Sequence, residues 1–222
     1  MMPINLGVFV SGRGTNLQSI IDACETGKID ASVAVVISDQ ADAYGLERAR
    51  KHNIPAIHVP VGKNNTAGYE EAERKQLEIL REHQADLVCL AGYMRRVGPA
   101  VLEAYDEAVL NIHPALLPSF PGTHGQDDAV DYGVRVSGCT VHFAWAKFDT
   151  GPIIIQAAVP VLPGDDGDSL AARILRQEHK IYPQAIQWFA EGRLQIEGRR
   201  VSVKDAPPPT ITEAIISPGL DL

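Results

Sequence analysis

The 222-residue sequence has no CxxC pair, and its three cysteines, Cys24, Cys89 and Cys139, are scattered. That excludes a disulfide framework and points to a reducing, cytoplasmic setting. Cys89 and Cys139 lie in apolar runs and read as small core residues. Positive charge is not in excess: the formal net charge is −8. General attraction to nucleic acid or to an anionic membrane is therefore not expected, and an anionic ligand needs a local site. No apolar run has the length of a membrane span. The opening MMPINLGVFVSGRG has neither a basic n-region nor a long apolar h-region, so no signal peptide is expected. GxGxxG and GxxxxGK[ST] are both missing, which removes the usual dinucleotide and ATP fingerprints. No short-spaced metal-ligand motif occurs, so no metal is expected. There is no internal repeat and no domain linker.

What the chain does have is apolar material in a regular alternation. Hydrophobic residues make up 45% and charged ones 22%, a balance that allows a sizeable core. Residues 4–11, INLGVFVS, read as a buried strand. The loop SGRGTN (11–16) and the helically spaced LQSIIDACETG follow. In that order they suit a phosphate, because glycines admit close backbone approach and the amides opening a helix favour an anion. Gly12 and Gly14 supply the turn, while Thr15 and Asn16 add a hydroxyl and an amide. A plain strand-to-helix turn capped by Thr15 or Asn16 is the alternative.

Strands at 31–39, 56–60 and 86–92 alternate with helices at 44–52 and 69–83, predicting a parallel sheet with crossover helices. GKNNTAG (62–68) is a polar loop. In YMRRVGPAVL (93–102), Tyr93, Met94 and Val97 suit the wall of a site for a flat apolar ligand. Arg95 and Arg96 can meet its carboxylates; core packing and solvation are the alternatives. A loop carrying His124 leads into a short helix. Runs 136–145 and 152–161, joined by AKFDTG, predict a hairpin, so the sheet turns antiparallel toward the C-terminus. Asp149 lies in that link, as a turn residue or a site residue. Asp168 or Ser169 is expected to cap a helix running through Arg173 to Glu191, with Pro183 interrupting it. Residues 194–203 read as a last strand or hairpin. One α/β domain is expected over 1–204, followed by a proline-rich tail at 205–222.

The rest is organised around AVLNIHPALLPSFPG (108–122). Asn111 and His113 are two residues apart in a strand-like run, so they share a face. Open α/β sheets place ligands where strands end, and histidine is the usual general acid/base. A satisfied core histidine fits the stretch as well.

Taken together, NIHPALLPSFPG, SGRGTN, LAGYMRRV, FDTGPII and QEHKIYP resemble the phosphoribosylglycinamide formyltransferases of purine synthesis, in the family's order and over residues 4–203. The resemblance implies a Rossmann-like formyltransferase fold, mostly parallel with antiparallel strands toward the C-terminus. It implies transfer of a formyl group from 10-formyltetrahydrofolate, as co-substrate, to the amine of glycinamide ribonucleotide, by a monomer or homodimer. Asn111, His113 and Asp149 stand at the family's catalytic positions. Gly14, Thr15 and Asn16 match its phosphate loop, and Glu178 its ribose contact. Met94, Arg95, Arg96 and Val97, with Asn111 and with Trp145, Ala146, Lys147, Phe148 and Asp149, match the folate-binding segments. Arg96 departs from the apolar residue many relatives carry there.

Formyl transfer between amines needs a donor for the tetrahedral oxyanion and a proton relay. Asn111 can donate through its amide, and protonated His113 to the oxyanion or the leaving nitrogen. Asp149 beside His113 favours the imidazolium. Other readings are a formyltransferase or hydrolase of the same superfamily with another acceptor (methionyl-tRNA, a sugar nucleotide, or water), an idle folate or nucleotide binder, and a metallohydrolase using His113, His142 and Asp149. The SGRGTN loop favours a small phosphate-bearing substrate. The C-terminal RNA-binding domain of the tRNA enzyme and the N-terminal regulatory domain of the hydrolase are not expected here.

Overall fold

The computed structural model describes residues 3–63 and 66–209. Strands β1 (Ile4–Val10), β2 (Ala31–Ser38), β3 (Ala56–His58), β4 (Leu87–Leu90) and β5 (Val109–His113) form a parallel block in the order β3-β2-β1-β4-β5. Helices α1 (Thr15–Glu25), α2 (Tyr44–Lys51), α3 (Ala67–Glu82) and α4 (Pro99–Ala104) lie in the crossovers. After α5 (Gly125–Tyr132) the chain reverses. Strand β6 (Val136–Phe143) pairs antiparallel with β5 and with β7 (Ile153–Pro160). Helix α6 (Gly167–Ala190) then packs across α1, β6 and β7. The hairpin β8 (Leu194–Glu197) and β9 (Arg200–Val203) completes a nine-stranded sheet, with β9 beside β7. The expected mixed sheet is therefore present.

Both faces of the parallel block are covered, which is why its strands read as unbroken apolar runs. Leu6, Val8 and Val10 pack with Leu17, Ile20 and Ile21 of α1 and with Ile174 and Ile186 of α6. On the other face Phe9, Val35, Ile37 and Val88 meet Ile79 and Leu80 of α3. Each large aliphatic side chain so buried contributes about 1.5–3 kcal/mol. Tyr182 of α6 is fully buried and donates its hydroxyl to the carbonyls of Leu90 and Leu110 at 3.1 and 3.0 Å. That stitches α6 to β4 and β5 directly behind the candidate site.

Several local expectations need correction. Asp166, not Asp168 or Ser169, caps α6: it accepts from the Ser169 amide at 2.8 Å, while the Ser169 hydroxyl receives the Asp166 N–H at 3.0 Å. This reciprocal capping box satisfies two amides that have no intrahelical partner. The helix continues unbroken through Pro183, which is buried in it. Packing of α6 on the sheet outweighs the missing amide there. Residues 99–104 form α4, a stretch to which the sequence assigns no element. The polar loop at 62–68 gives way to α3 at Ala67, and its residues 64–65 lie outside the described residues. Of the tail, 206–209 are irregular and 210–222 lie outside the described residues. Among the described residues no helix is long and apolar enough to cross a membrane.

Candidate active site

The parallel order reverses between β1 and β4, the position where open sheets leave a crevice. Asn111 is paired to Leu90, the last residue of β4, so it stands level with the end of its neighbour. Asn111 and His113 share their face of β5 with Val109, which packs into the α3 cluster. Beyond Val109 the apolar cover stops, and the polar pair begins.

Four side chains converge there. His113 Nδ1 lies 3.6 Å from Asp149 Oδ2, and His142 Nε2 lies 3.7 Å from Asp149 Oδ1. Asn111 Nδ2 is 3.1 Å from His142 Nε2 and 3.5 Å from Asp149 Oδ1. The side chains of His113, His142 and Asp149 are almost wholly buried. The ring nitrogens can be assigned from their partners. His113 Nε2 faces the Phe120 carbonyl at 2.9 Å, which can only accept, so Nε2 carries a proton. Nδ1 is then the nitrogen left for proton traffic, toward Asp149. His142 Nδ1 likewise donates to the Phe143 carbonyl at 2.8 Å. Burial is the main cause lowering the His142 pKa, and a neutral ring leaves Nε2 to accept from Asn111. The 3.6 Å gap between His113 and Asp149 is an ion-pair distance, not a hydrogen bond.

The loops that close on His113 are held by backbone groups. Thr140, opposite His113 in the β5–β6 register, donates its hydroxyl to the Ala115 carbonyl at 2.7 Å and accepts from the Leu117 amide at 3.1 Å. Gln156 donates to the Leu117 carbonyl at 3.0 Å. These bonds fix the segment leading to Phe120 and Gly122. The Gly122 amide then donates to Asp149 Oδ2 at 2.9 Å. Phe120 and Asp149 both have φ of 51°, a left-handed backbone that Asp tolerates and Phe does not favour. Two such residues against one histidine are the kind of local strain that clusters at functional sites.

A shallow, solvent-open cleft lies beside Asn111, His142 and Asp149. Of the expected folate segments it is lined by Arg95, Arg96, Val97, Trp145, Ala146 and Phe148, with Tyr93, Leu90, Leu102 and Ala144 adding apolar wall. Met94 and Lys147 do not line it, and Met94 is exposed. Arg95 is partly committed: its Nε donates to Asp39 Oδ2 at 3.0 Å. Arg96 donates Nη2 to the Ala146 carbonyl at 2.8 Å, joining the two walls of the cleft.

In the glycine loop, Gly14 has φ of 66° and precedes α1 without a side-chain cap. A Cβ on Gly14 would lie 2.7 Å from the Gly45 Cα. Its glycine identity is thus required by the approach of α1 to α2 as well as by the left-handed turn. The amides of Thr15, Asn16 and Leu17 have no intrahelical acceptor, as at any helix start, and are directed out of the end of α1. The Asn16 side chain turns inward and donates to Glu178 Oε2 at 2.8 Å, across 162 residues of sequence. Its Oδ1 is buried and has no hydrogen-bond partner among the described residues. Burial raises the pKa of Glu178, against the opposing effect of the Asn16 bond. The expected phosphate amide and the expected ribose carboxylate are therefore bonded to each other.

A family model described as formyl transferase matches residues 4–186. The chain is 45% identical to phosphoribosylglycinamide formyltransferase of Escherichia coli over 196 residues, 87% of this chain and 90% of that protein. It superposes on the crystal structure of glycinamide ribonucleotide transformylase 1 from Symbiobacterium toebii with a TM-score of 0.88 at 54% identity, covering 92% of this chain and 95% of that one. The chain belongs to the phosphoribosylglycinamide formyltransferase family. It is an enzyme of the formyltransferase class. A formyltetrahydrofolate deformylase from Pseudomonas syringae shares the fold at 29% identity and a TM-score of 0.82, over 91% of this chain and 66% of that one. The hairpin β8–β9 lies beyond the residues matched by the family model.

Sequence reasoning gave His142 no part in catalysis beyond the metal alternative. It also missed the Phe120 carbonyl and the Gly122 amide. Period-two alternation puts His142 on one face with Thr140, but only the strand register sets it opposite Asn111. Among the described residues no group of three His, Cys, Asp or Glu side chains is arranged to hold a metal ion.

Proposed function

We propose that the protein transfers the formyl group of 10-formyltetrahydrofolate to the amine of 5-phosphoribosylglycinamide. The products are formylglycinamide ribonucleotide and tetrahydrofolate, a step of de novo purine biosynthesis. The observation that carries this reading is the meeting of Asn111, His113, His142 and Asp149: Asn111, His142 and Asp149 line one cleft, and His113 is buried beside Asp149 without lining it. The folate ring enters between the 93–97 wall and the 144–149 loop. The substrate phosphate sits on the opening amides of α1, which favour an anion, and Glu178 meets the ribose.

The amine attacks the formyl carbon and the carbonyl oxygen becomes an oxyanion. An Asn111 N–H, released from His142 or Asp149, donates to it. Such a donor is worth about 2.7–4 kcal/mol of barrier. The attacking nitrogen loses one proton and the departing folate nitrogen gains one, so the reaction needs a relay and no net acid. His113, protonated on Nδ1, supplies the leaving nitrogen. Asp149 holds that charge and receives the proton from the amine, through a water where the gap exceeds hydrogen-bond length. No metal enters this scheme. Residues 1–204 act as one catalytic domain, with the tail outside it.

The test is a formyl-transfer assay with glycinamide ribonucleotide and 10-formyltetrahydrofolate. Methionyl-tRNA, an amino-sugar nucleotide and water serve as control acceptors. Formylated glycinamide ribonucleotide as the main product supports the reading. The likeness to a deformylase makes hydrolysis the second reading, and formate released without acceptor would replace the first with it.

A further inference from the structure

The 144–151 loop carries Asp149, which accepts from the Gly122 amide; the Ala144 amide donates to the Val109 carbonyl at 2.8 Å, and the Thr150 hydroxyl to the Lys147 carbonyl within the loop at 2.8 Å. Its base is closed where the Phe143 amide donates to the Pro152 carbonyl at 2.9 Å. Gly151 lies so close to the Phe143 carbonyl that no side chain fits there. Above that base the loop is exposed, and Trp145 and Phe148 stand half in solvent. Arg96 ties one limb through the Ala146 carbonyl. The other limb is tied from an unexpected direction, the turn between β8 and β9. Arg199 donates Nη1 to the Thr150 carbonyl at 2.9 Å, and its guanidinium carbon lies 5.9 Å from the centre of the Trp145 ring. The strand that follows keeps this turn in place, because Arg200 opens β9 at the pairing with Ile153 of β7.

We infer that Arg199 is a positioning residue for the loop that carries Asp149. It grips the loop on both sides of the carboxylate, at 145 and at 150, and touches neither Asp149 nor the reacting groups. A planar guanidinium can donate from one edge while its face meets an aromatic ring. A lysine keeps the charge near the ring and loses the fork. The inference rests on the reading of Asp149 as a catalytic group.

The test compares Arg199→Ala and Arg199→Lys with the full chain in two measurements. The first is acrylamide quenching of tryptophan fluorescence. Trp145 is 44% exposed and Trp188 only 6%, so a neutral quencher reports on the loop. The second is steady-state transfer from 10-formyltetrahydrofolate to glycinamide ribonucleotide. R199A should raise quenching and lower kcat about tenfold, the size of one exposed hydrogen bond plus one cation–π contact. KM for glycinamide ribonucleotide should stay unchanged, the thermal midpoint should fall by only a few degrees because the same two contacts are lost from the folded state, and R199K should fall between. A kcat equal to wild type in R199A overturns the inference, whatever the quenching does. So does a loss shared by KM and the thermal midpoint, which marks a general structural role. If the wild-type chain transfers no formyl group, the proposed function fails separately. Quenching then decides the strap alone: a rise in R199A supports it and no change overturns it.

Discussion

Replacing Asp149 by asparagine isolates its charge. Asparagine tolerates the left-handed backbone that Asp149 adopts at φ 51°. Its amide oxygen can still accept the Gly122 N–H that now reaches Oδ2 at 2.9 Å. What disappears is the negative charge 3.6 Å from His113 Nδ1. At an effective dielectric of about 20, a pair at that separation attracts by about 5 kcal/mol when the ring is protonated. Set against the barrier, that is a ceiling of about three orders of magnitude in rate, inside the range of about 100- to 10,000-fold for general acid–base groups. Asp149→Asn should therefore lower kcat about 1,000-fold, with the KM for glycinamide ribonucleotide and the melting temperature close to wild type. Asp149→Ala removes the same charge, the Gly122 acceptor and the tolerance for positive φ. It should match the kcat loss and also unfold about 4–10 °C lower, from about 2–3 kcal/mol of lost stability. Steady-state kinetics and thermal unfolding of the pair decide it. Asp149→Asn with kcat within tenfold of wild type refutes the relay. Equal melting of the two variants refutes the reading of the loop geometry.

Three further outcomes follow from the same site. Gly14→Ala forces a Cβ to within 2.7 Å of the Gly45 backbone at φ 66°, so it should lower stability by about 1–3 kcal/mol and weaken glycinamide ribonucleotide more than folate, by calorimetry; equal weakening of both ligands counts against the phosphate loop. Glu178→Gln removes a buried carboxylate and offers an N–H to the orphan Asn16 Oδ1; it should stabilise the fold by about 1–3 kcal/mol at pH 7 while raising the KM for glycinamide ribonucleotide, and a destabilised variant contradicts the pairing. Burial lowers the His142 pKa from its ordinary 6.5, so the unfolded chain binds more protons than the folded one near and below that pH, and stability falls as pH drops through it. Melting curves from pH 7 to pH 5 should fall less steeply for His142→Gln than for wild type.

The sheet was legible because its signals are local. Apolar runs such as 4–10 and 87–90, stopped by glycines and alternating with helical spacing, need no partner to be read. Asn111 and His113 were legible for the same reason, since a spacing of two fixes a shared face. The rest of the site is made of long-range facts. Asn16 meets Glu178 across 162 residues, and no local pattern announces that the amide is turned inward. The groups that fix the His113 tautomer and hold Asp149 are the carbonyl of Phe120 and the amide of Gly122. Every residue but proline carries both groups, so residue type gives no hint of them. Asp166 was passed over as a cap because Asp168 and Ser169 stand equally near the helix start. The choice was made by a reciprocal bond visible only in three dimensions.

The reversal of chain direction after β5 is what turns a buried strand face into a site. In a sheet that stayed parallel, the next crossover helix would cover the face that Val109, Asn111 and His113 share, and two polar side chains there would be buried at a penalty. Instead β6 runs back antiparallel, and its register sets His142 beside Asn111 and Thr140 beside His113. The link from β6 to β7 is a loop, so it folds over that face without the bulk of a helix. It delivers Asp149 to both imidazoles and leaves a shallow cleft between itself and the 93–97 segment. The hairpin β8–β9 then continues the sheet beyond β7 and supplies Arg199 to the same loop. Because the loop is short and its base is closed by Gly151 against Phe143, lengthening it by two residues should move Asp149 out of reach while sparing the sheet. Such a variant should fold with a near-normal melting temperature, bind glycinamide ribonucleotide, and lose transfer to the same extent as Asp149→Asn.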